Sequence, residues 1–283
     1  MVGRGSRLAL ALVLAGAAPA RGQGADLARE RADYASWLAT APTSPLAAIA
    51  QQPIGTGLRL GPPGADIPLE GLADHRVNQR DGAVRLESPA GARAVPRGLP
   101  VRLGAYTVTV EGPPGRAVLT VFGPRHTGTP PGYYEPQPSL VFVGPLSPPH
   151  KTGSVRVLGL DGVEVEAAEA GSVVVPVGGG RVRLRVLRLP TGDGEESELQ
   201  VFFRDRTNGR GSYPAGRFVT LLPERDGRYR LDFNRARNPF CAYSSAYPCP
   251  APWRGNTIPA PVAAGERYRG GGLAVPATPA GAR

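Results

Sequence analysis

Lysine is almost missing from this chain. Lys151 is the single one, so nearly all of the 33 basic residues are arginine. A guanidinium fork grips carboxylates and phosphates bidentately, and an ammonium does not. Histidine is nearly as scarce: His75, His126 and His150 all lie more than 90 residues upstream of Cys241. A cysteine nucleophile there finds no base in its own neighbourhood. Cys241 and Cys249 are the only cysteines, with seven residues between them, no C-x-x-C and no adjacent histidine pair. That argues against a zinc site. The chain also lacks a phosphate loop, a dinucleotide fingerprint, a serine elbow and a zinc-binding helix motif, which excludes the function classes those motifs carry. No cofactor is expected. Beyond the N-terminus no apolar run is long enough to span a bilayer, and no repeat of fixed period is present.

What is abundant is glycine and proline. Gly 39 and Pro 32 make about a quarter of the 283 residues, a composition near that of low-complexity chains. Yet 41% of the chain is hydrophobic, in short alternating runs. The expectation is a folded, mostly β protein with many turns.

Residues 1–24, "MVGRGSRLALALVLAGAAPARGQG", have the layout of a signal peptide. Arg4 and Arg7 precede an apolar stretch from Leu8 to Ala18, and Ala18-Pro19-Ala20 resembles a cleavage site. The alternative is a retained membrane anchor. Cleavage after residue 20 would remove Arg4 and Arg7 and lower the formal net charge from +10 to +8. Export, to the periplasm or outside the cell, argues against nucleic acid as a partner despite the basic charge. It also favours a disulfide between Cys241 and Cys249. Closing so short a loop is worth about 2–3 kcal/mol.

Residues 25–40 read as the one good helix, with Asp26 as its cap and Leu27, Tyr34, Trp37 and Leu38 on one side. That side is expected to pack on a sheet. From Ile54 the period switches to two. Asp81-Gly82, Asp161-Gly162 and Asp226-Gly227 mark three hairpin turns. Further strands are expected at 105–111, 116–122, 139–143, 172–177, 181–189 and 197–204. A Pro/Gly-rich break at 123–138 divides a first β part (50–125) from a second (135–269), and 270–283 reads as a flexible tail. Each part is expected to be a sandwich or barrel. Residues 55–77 loosely resemble forkhead-associated β-sandwich domains, through Gly57-Leu58-Arg59 and Asp66-Ile67-Pro68-Leu69. The Ser-x-x-His of those domains is absent, Asp74-His75 standing nearby, so phosphothreonine reading is not implied.

The positive charge is concentrated at the C-terminal end. Residues 204–269 hold 12 arginines against five acids, Asp205, Glu224, Asp226, Asp232 and Glu266. A basic field of this kind favours anionic partners. In "RYRLDFN", Tyr229, Leu231 and Phe233 share one strand face and Arg230, Asp232 and Asn234 the other. Arg230 is therefore the expected partner of Asp232.

Three stretches, "FFRDRTNGRGSYPAGRFV", "RLDFNRARNPFCAYSSAYPCPAPWRGN" and "PVAAGERY", resemble in order the blocks of a bacterial and archaeal family labelled domain of unknown function 1684. Ser44-Pro45-Leu46 matches a further family tripeptide. The chain departs from the family pattern at Phe240, often proline there, and at Gly255, often glutamate, so position 255 supplies no acid. The resemblance implies a β-rich protein and marks Arg204, Asp205, Thr207, Gly209, Tyr213, Gly216, Arg217, Asp232, Asn234, Asn238, Cys241, Tyr243, Cys249 and Asn256. It implies no activity.

The residues support two readings. In the first, the chain is not an enzyme and binds a small anionic or polar ligand, or has a structural role in the cell envelope. Arg204 and Arg217 would grip the anion beside Asp205, Thr207, Asp232 and Asn234. Asn238 and Asn256 would orient it, and Tyr243 would form a wall. In the second, Asp205, Asp232 or Glu266 serve a carboxylate-based hydrolase of glycans or similar substrates. Arginines beside these acids favour their charged forms, which suits a general acid poorly.

Overall fold

A computed structural model describes residues 20–149, 151–191 and 196–270. The signal-peptide segment up to residue 19, His150 and the tail beyond residue 270 lie outside the described residues. Among the described residues no helix is long and apolar enough to cross a membrane.

Helix α1 runs over Ala20–Thr40, so Asp26 lies within it and is not its cap. Gly22 and Gly24 lower helix propensity, yet neither blocks the helix as proline would. The expected apolar side is real: Leu27 and Leu38 are buried, and Tyr34 stacks on Trp37.

The first β part is a two-sheet sandwich. Its strands are β1 (Ala48–Pro53), β2 (Leu58–Gly61), β3 (Ile67–Pro68), β4 (His75–Arg80), β5 (Ala83–Ser88), β6 (Gly91–Ala94), β7 (Val101–Leu103), β8 (Tyr106–Glu111) and β9 (Val118–Phe122). One sheet has the order β3-β2-β4-β5-β6 and the other β1-β9-β8-β7. Leu60, Val77 and Leu86 from the first meet Val108, Val110, Leu119 and Val121 from the second in one buried core. The likeness to forkhead-associated domains falls on β2, β3 and the turn into β4. There the ring Nδ1 of His75 pairs with the Ala73 carbonyl.

The second part is a seven-stranded antiparallel sheet of β10 (Val141–Pro145), β11 (Ser154–Leu158), β12 (Glu164–Val177), β13 (Gly180–Thr191), β14 (Glu196–Phe203), β15 (Arg217–Pro223) and β16 (Arg228–Asp232). Its order is β10-β16-β15-β14-β13-β12-β11. No sheet closes into a barrel. All three Asp-Gly pairs stand between paired strands. Asp81 and Gly82, and likewise Asp226 and Gly227, both have positive φ, as primed hairpin turns require.

Among the described residues no long element follows β16. The chain forms short turns and then lies across the sheet, where Ile258, Val262 and Ala264 complete the main apolar core. A smaller cluster joins the two parts, with Ala47, Ala48 and Phe122 against Tyr213, Cys241 and Tyr247. Helix α1 docks on the second part: Arg31 donates to the carbonyls of Tyr134 and Asn234, and Arg235 forks onto both oxygens of Glu30.

Candidate functional site

The motif residues divide into those that hold the backbone and those that face open space. Arg217 belongs to the first set. Its side chain has no solvent exposure and donates to Asp205 Oδ2 at 2.8 Å, to the Val262 carbonyl at 2.8 Å and to the Ala264 carbonyl. It is a clasp that pins the C-terminal segment to β15, not an anion grip: its charge and both terminal nitrogens are spent on protein groups, and its Nε, which has no partner, is shut off from solvent. Asp205 completes the clasp. Its Oδ1 accepts from the backbone N–H groups of Thr207 and Val262. Thr207 exchanges a 2.7 Å hydrogen bond with Ser212.

Three other expected ligand contacts are also internal. Asn256 bonds both the N–H and the carbonyl of Arg185 and donates to the Phe202 carbonyl, so it ties a loop to the sheet. Asp232 accepts from the backbone and side-chain N–H groups of Asn234, and it pairs with Arg235. The expected Asp232–Arg230 pair is replaced in this role because the strand turns at Phe233, which brings Arg235 under the carboxylate; Arg230 bonds Glu224 instead. Asn234 holds both backbone groups of Gln137. Arg204 is exposed, with its backbone paired to the segment from Asn256 to Ile258.

Asn238 and Tyr243 are different. Both line a cavity of about 280 Å³ whose other walls include Leu46, Arg267, Tyr268 and Arg269. Asn238 is 1% exposed, and its Oδ1 has no hydrogen-bond partner. Its Nδ2 is fixed by the Arg267 carbonyl. The Arg267 guanidinium lies over the Tyr134 ring, 5.2 Å from its centroid, and its Nε is also without a partner. Among the described residues no carboxylate lines this cavity. Leu46 comes from the Ser-Pro-Leu tripeptide, whose Ser44 hydroxyl bonds the Leu38 carbonyl and caps the turn that presents it. Arg267 and Arg269 carry no special spacing in the sequence. Their place at the cavity becomes visible only once Gly132 pairs with Arg267 and turns this segment over it.

Behind the cavity sits Glu266, with no solvent exposure. Its Oε2 accepts the Asn238 backbone N–H at 2.7 Å and the Tyr243 hydroxyl at 2.6 Å. Its Oε1 has no partner. Burial pushes its carboxyl up to about 7, against the pull of those two hydrogen bonds and of Arg237 and Arg217. Burial and the neighbouring Glu266 charge push Tyr243 up as well. The backbone at Gly265 explains why this carboxylate can sit so deep. Gly265 has φ +74°, and a Cβ there would lie 2.6 Å from the Ala236 carbonyl oxygen.

On its other side Glu266 faces α1. The Tyr34 hydroxyl lies beside that of Tyr243, yet closes no hydrogen bond of ordinary geometry. Tyr34, Tyr133 and Arg237 line a second cavity, of about 370 Å³, under the helix. Its arginines share the walls with Glu30 and Glu198, so its charge is mixed. Arg237 stacks over the Tyr34 ring at 4.2 Å.

Cys241 and Cys249 are neighbouring thiols, with the Tyr213 hydroxyl 3.2 Å from Cys249 Sγ. Donation from Cys241 and Tyr213 holds Cys249 at about 6, below the usual thiol range. The hydrogen bond with Cys249 and burial push Cys241 up. Among the described residues no group of three or more potential ligands could hold a metal ion.

No curated protein matches the chain. The chain is similar to an uncharacterised protein of Haloarcula marismortui with a solution NMR structure. Identity is 32%, over 48% of this chain and 75% of that one, with a TM-score of 0.42. The profile of the family described as "Protein of unknown function (DUF1684)" matches residues 129–267, which span the second sheet, the Arg217–Asp205 clasp and the Glu266 carboxylate. Through these residues the chain belongs to the DUF1684 family.

Proposed function

We propose that this is an exported protein that binds a small anionic ligand carrying a hydroxyl, in the cavity between Asn238, Tyr243, Arg267 and Arg269. The observation that carries the reading is Asn238 Oδ1, an acceptor on a residue 1% exposed, left without a partner beside two arginines. A buried acceptor in that condition costs about 1–3 kcal/mol, which a ligand O–H would relieve. The arginines supply the anion grip that the sequence suggests for Arg204 and Arg217. The signal-peptide layout of residues 1–20 supports export.

A hydrolase built on Asp205, Asp232 or Glu266 has less support. Asp205 and Asp232 are ion-paired, and no second carboxylate shares a cavity wall with Glu266's partners. Titration calorimetry with sulfate and with tartrate tests the binding reading. Both should bind, tartrate more tightly by about fivefold for one added hydrogen bond. The double variant Arg267→Ala/Arg269→Ala should stay folded and bind neither. Equal binding by that variant would place the ligand elsewhere.

A further inference from the structure

We infer that the Asn238 cavity takes up its anion together with a proton, which is held by Glu266. This rests on the binding reading above and adds how the site is regulated. The geometry is a short chain of contacts. The ligand would meet Asn238 and Tyr243, and both of those hydrogen-bond the same oxygen of Glu266, one through its backbone N–H and one through its hydroxyl. The carboxylate is fully buried, makes no ion pair among the described residues, and keeps Oε1 without a donor. An anion seated on the far side of Tyr243 therefore places a second negative charge across a buried layer one side chain thick. Charges separated by buried protein are weakly screened. Protonating Glu266 removes the repulsion.

The surroundings do not offer another way to cancel the charge. From α1, Tyr34 and Arg31 face Glu266; Arg31 gives its two terminal nitrogens to the carbonyls of Tyr134 and Asn234, and its Nε, which has no partner, closes no hydrogen bond on Glu266. Tyr133 faces it from the segment before β10. Arg217 comes from β15 and is held by Asp205 and backbone carbonyls. Arg237 lies over Tyr34. Both arginines lower the carboxyl's affinity for a proton, but burial outweighs them. Linkage then requires reciprocity: if the anion favours the protonated carboxyl, protonation favours the anion by the same factor.

Sulfate is the probe, since its own charge is constant between pH 5.5 and 8.5. Its affinity for the full chain should fall about tenfold across that range, as expected for a coupling of ordinary size. Glu266→Gln keeps an acceptor for Asn238 and Tyr243, and should bind sulfate with little pH dependence. His126 sits two residues from the cavity-lining Gly128 and bonds the Ala41 carbonyl. His126→Gln should retain the wild-type pH dependence. Calorimetry of the wild type in two buffers of different ionisation heat should show net proton uptake near pH 7.5, a measurement that needs no variant. Sulfate binding without proton uptake overturns the coupling and leaves the binding site standing. No sulfate binding at any pH overturns both. Unchanged pH dependence in Glu266→Gln assigns the proton to another group and also overturns the inference.

Discussion

The Tyr243 phenol donates a 2.6 Å hydrogen bond to Oε2 of Glu266, joining a cavity wall to a carboxylate with no exposure. Burial raises this carboxyl from 4.5 to about 7. The folded chain thus keeps a proton that the unfolded chain releases between those values. Its contribution to stability is complete below pH 4.5 and is lost as pH rises through 7. At 1.36 kcal/mol per unit, the loss is about 3 kcal/mol. Urea denaturation at pH 5 and pH 8 should show wild type losing about that much relative to Glu266→Gln. A constant difference between the two proteins would remove the assignment.

Arg217 and Asp205 form an ion pair in which neither side chain is exposed. Removing one partner strands the other, at a cost of about 3–5 kcal/mol. Arg217→Ala should therefore unfold at much lower urea, or fail to fold. A double-mutant cycle with Asp205→Asn should show coupling of about 0.5–3 kcal/mol. A stable Arg217→Ala protein that has lost only ligand binding would restore the anion-grip role.

The contrast between Arg217 and Asn238 shows where sequence reasoning stops. Strand alternation made the hairpins and the two β parts legible, because a period of two and Asp-Gly turns are local signals. The division of labour among the motif residues is not local. Arg217 starts a strand, and only the return of residues 262–266 over that strand turns its guanidinium from a possible ligand group into a backbone clasp. Conversely, Arg267 and Arg269 carry no sequence signal of their own, and they reach the cavity because Arg267 pairs with Gly132 and Tyr268, between them, with Gly211. Glu266 was visible as one of three acids. Its lack of an ion pair was not, since Arg267 beside it in sequence points instead over Tyr134.

Gly265 is the backbone condition for Glu266. With φ +74° and a would-be Cβ 2.6 Å from the Ala236 carbonyl oxygen, an alanine there must both strain and displace backbone. Gly265→Ala should cost about 2–4 kcal/mol. Gly255, with φ +88° and open space around it, is the control. Gly255→Glu, the residue common in the family, should cost only about 1–2 kcal/mol of left-handed strain. Thermal melts of both variants decide the matter, and equal shifts would contradict the close approach at Gly265.

Cys241 and Cys249 stand together as thiols under the Tyr213 hydroxyl. Because Cys249 is held at about 6 while Cys241 is buried and raised, the two should react differently when reduced. Iodoacetamide at pH 7 should label Cys249 first, as peptide mapping would show; faster labelling of Cys241 would reverse the assignment. Given oxidised glutathione, the Cys249 thiolate attacks its disulfide and releases one glutathione thiolate. The Cys241 thiol then loses its proton, attacks the mixed disulfide and releases the second. Two thiols are thereby oxidised as one glutathione disulfide is reduced. Intact mass should fall by two hydrogens, and the loop so closed should raise stability by about 2–3 kcal/mol. The Cys241→Ser/Cys249→Ser double variant should show neither change. Two thiols that persist after oxidation would make the pair a buried contact, with the loop held by Tyr213 alone.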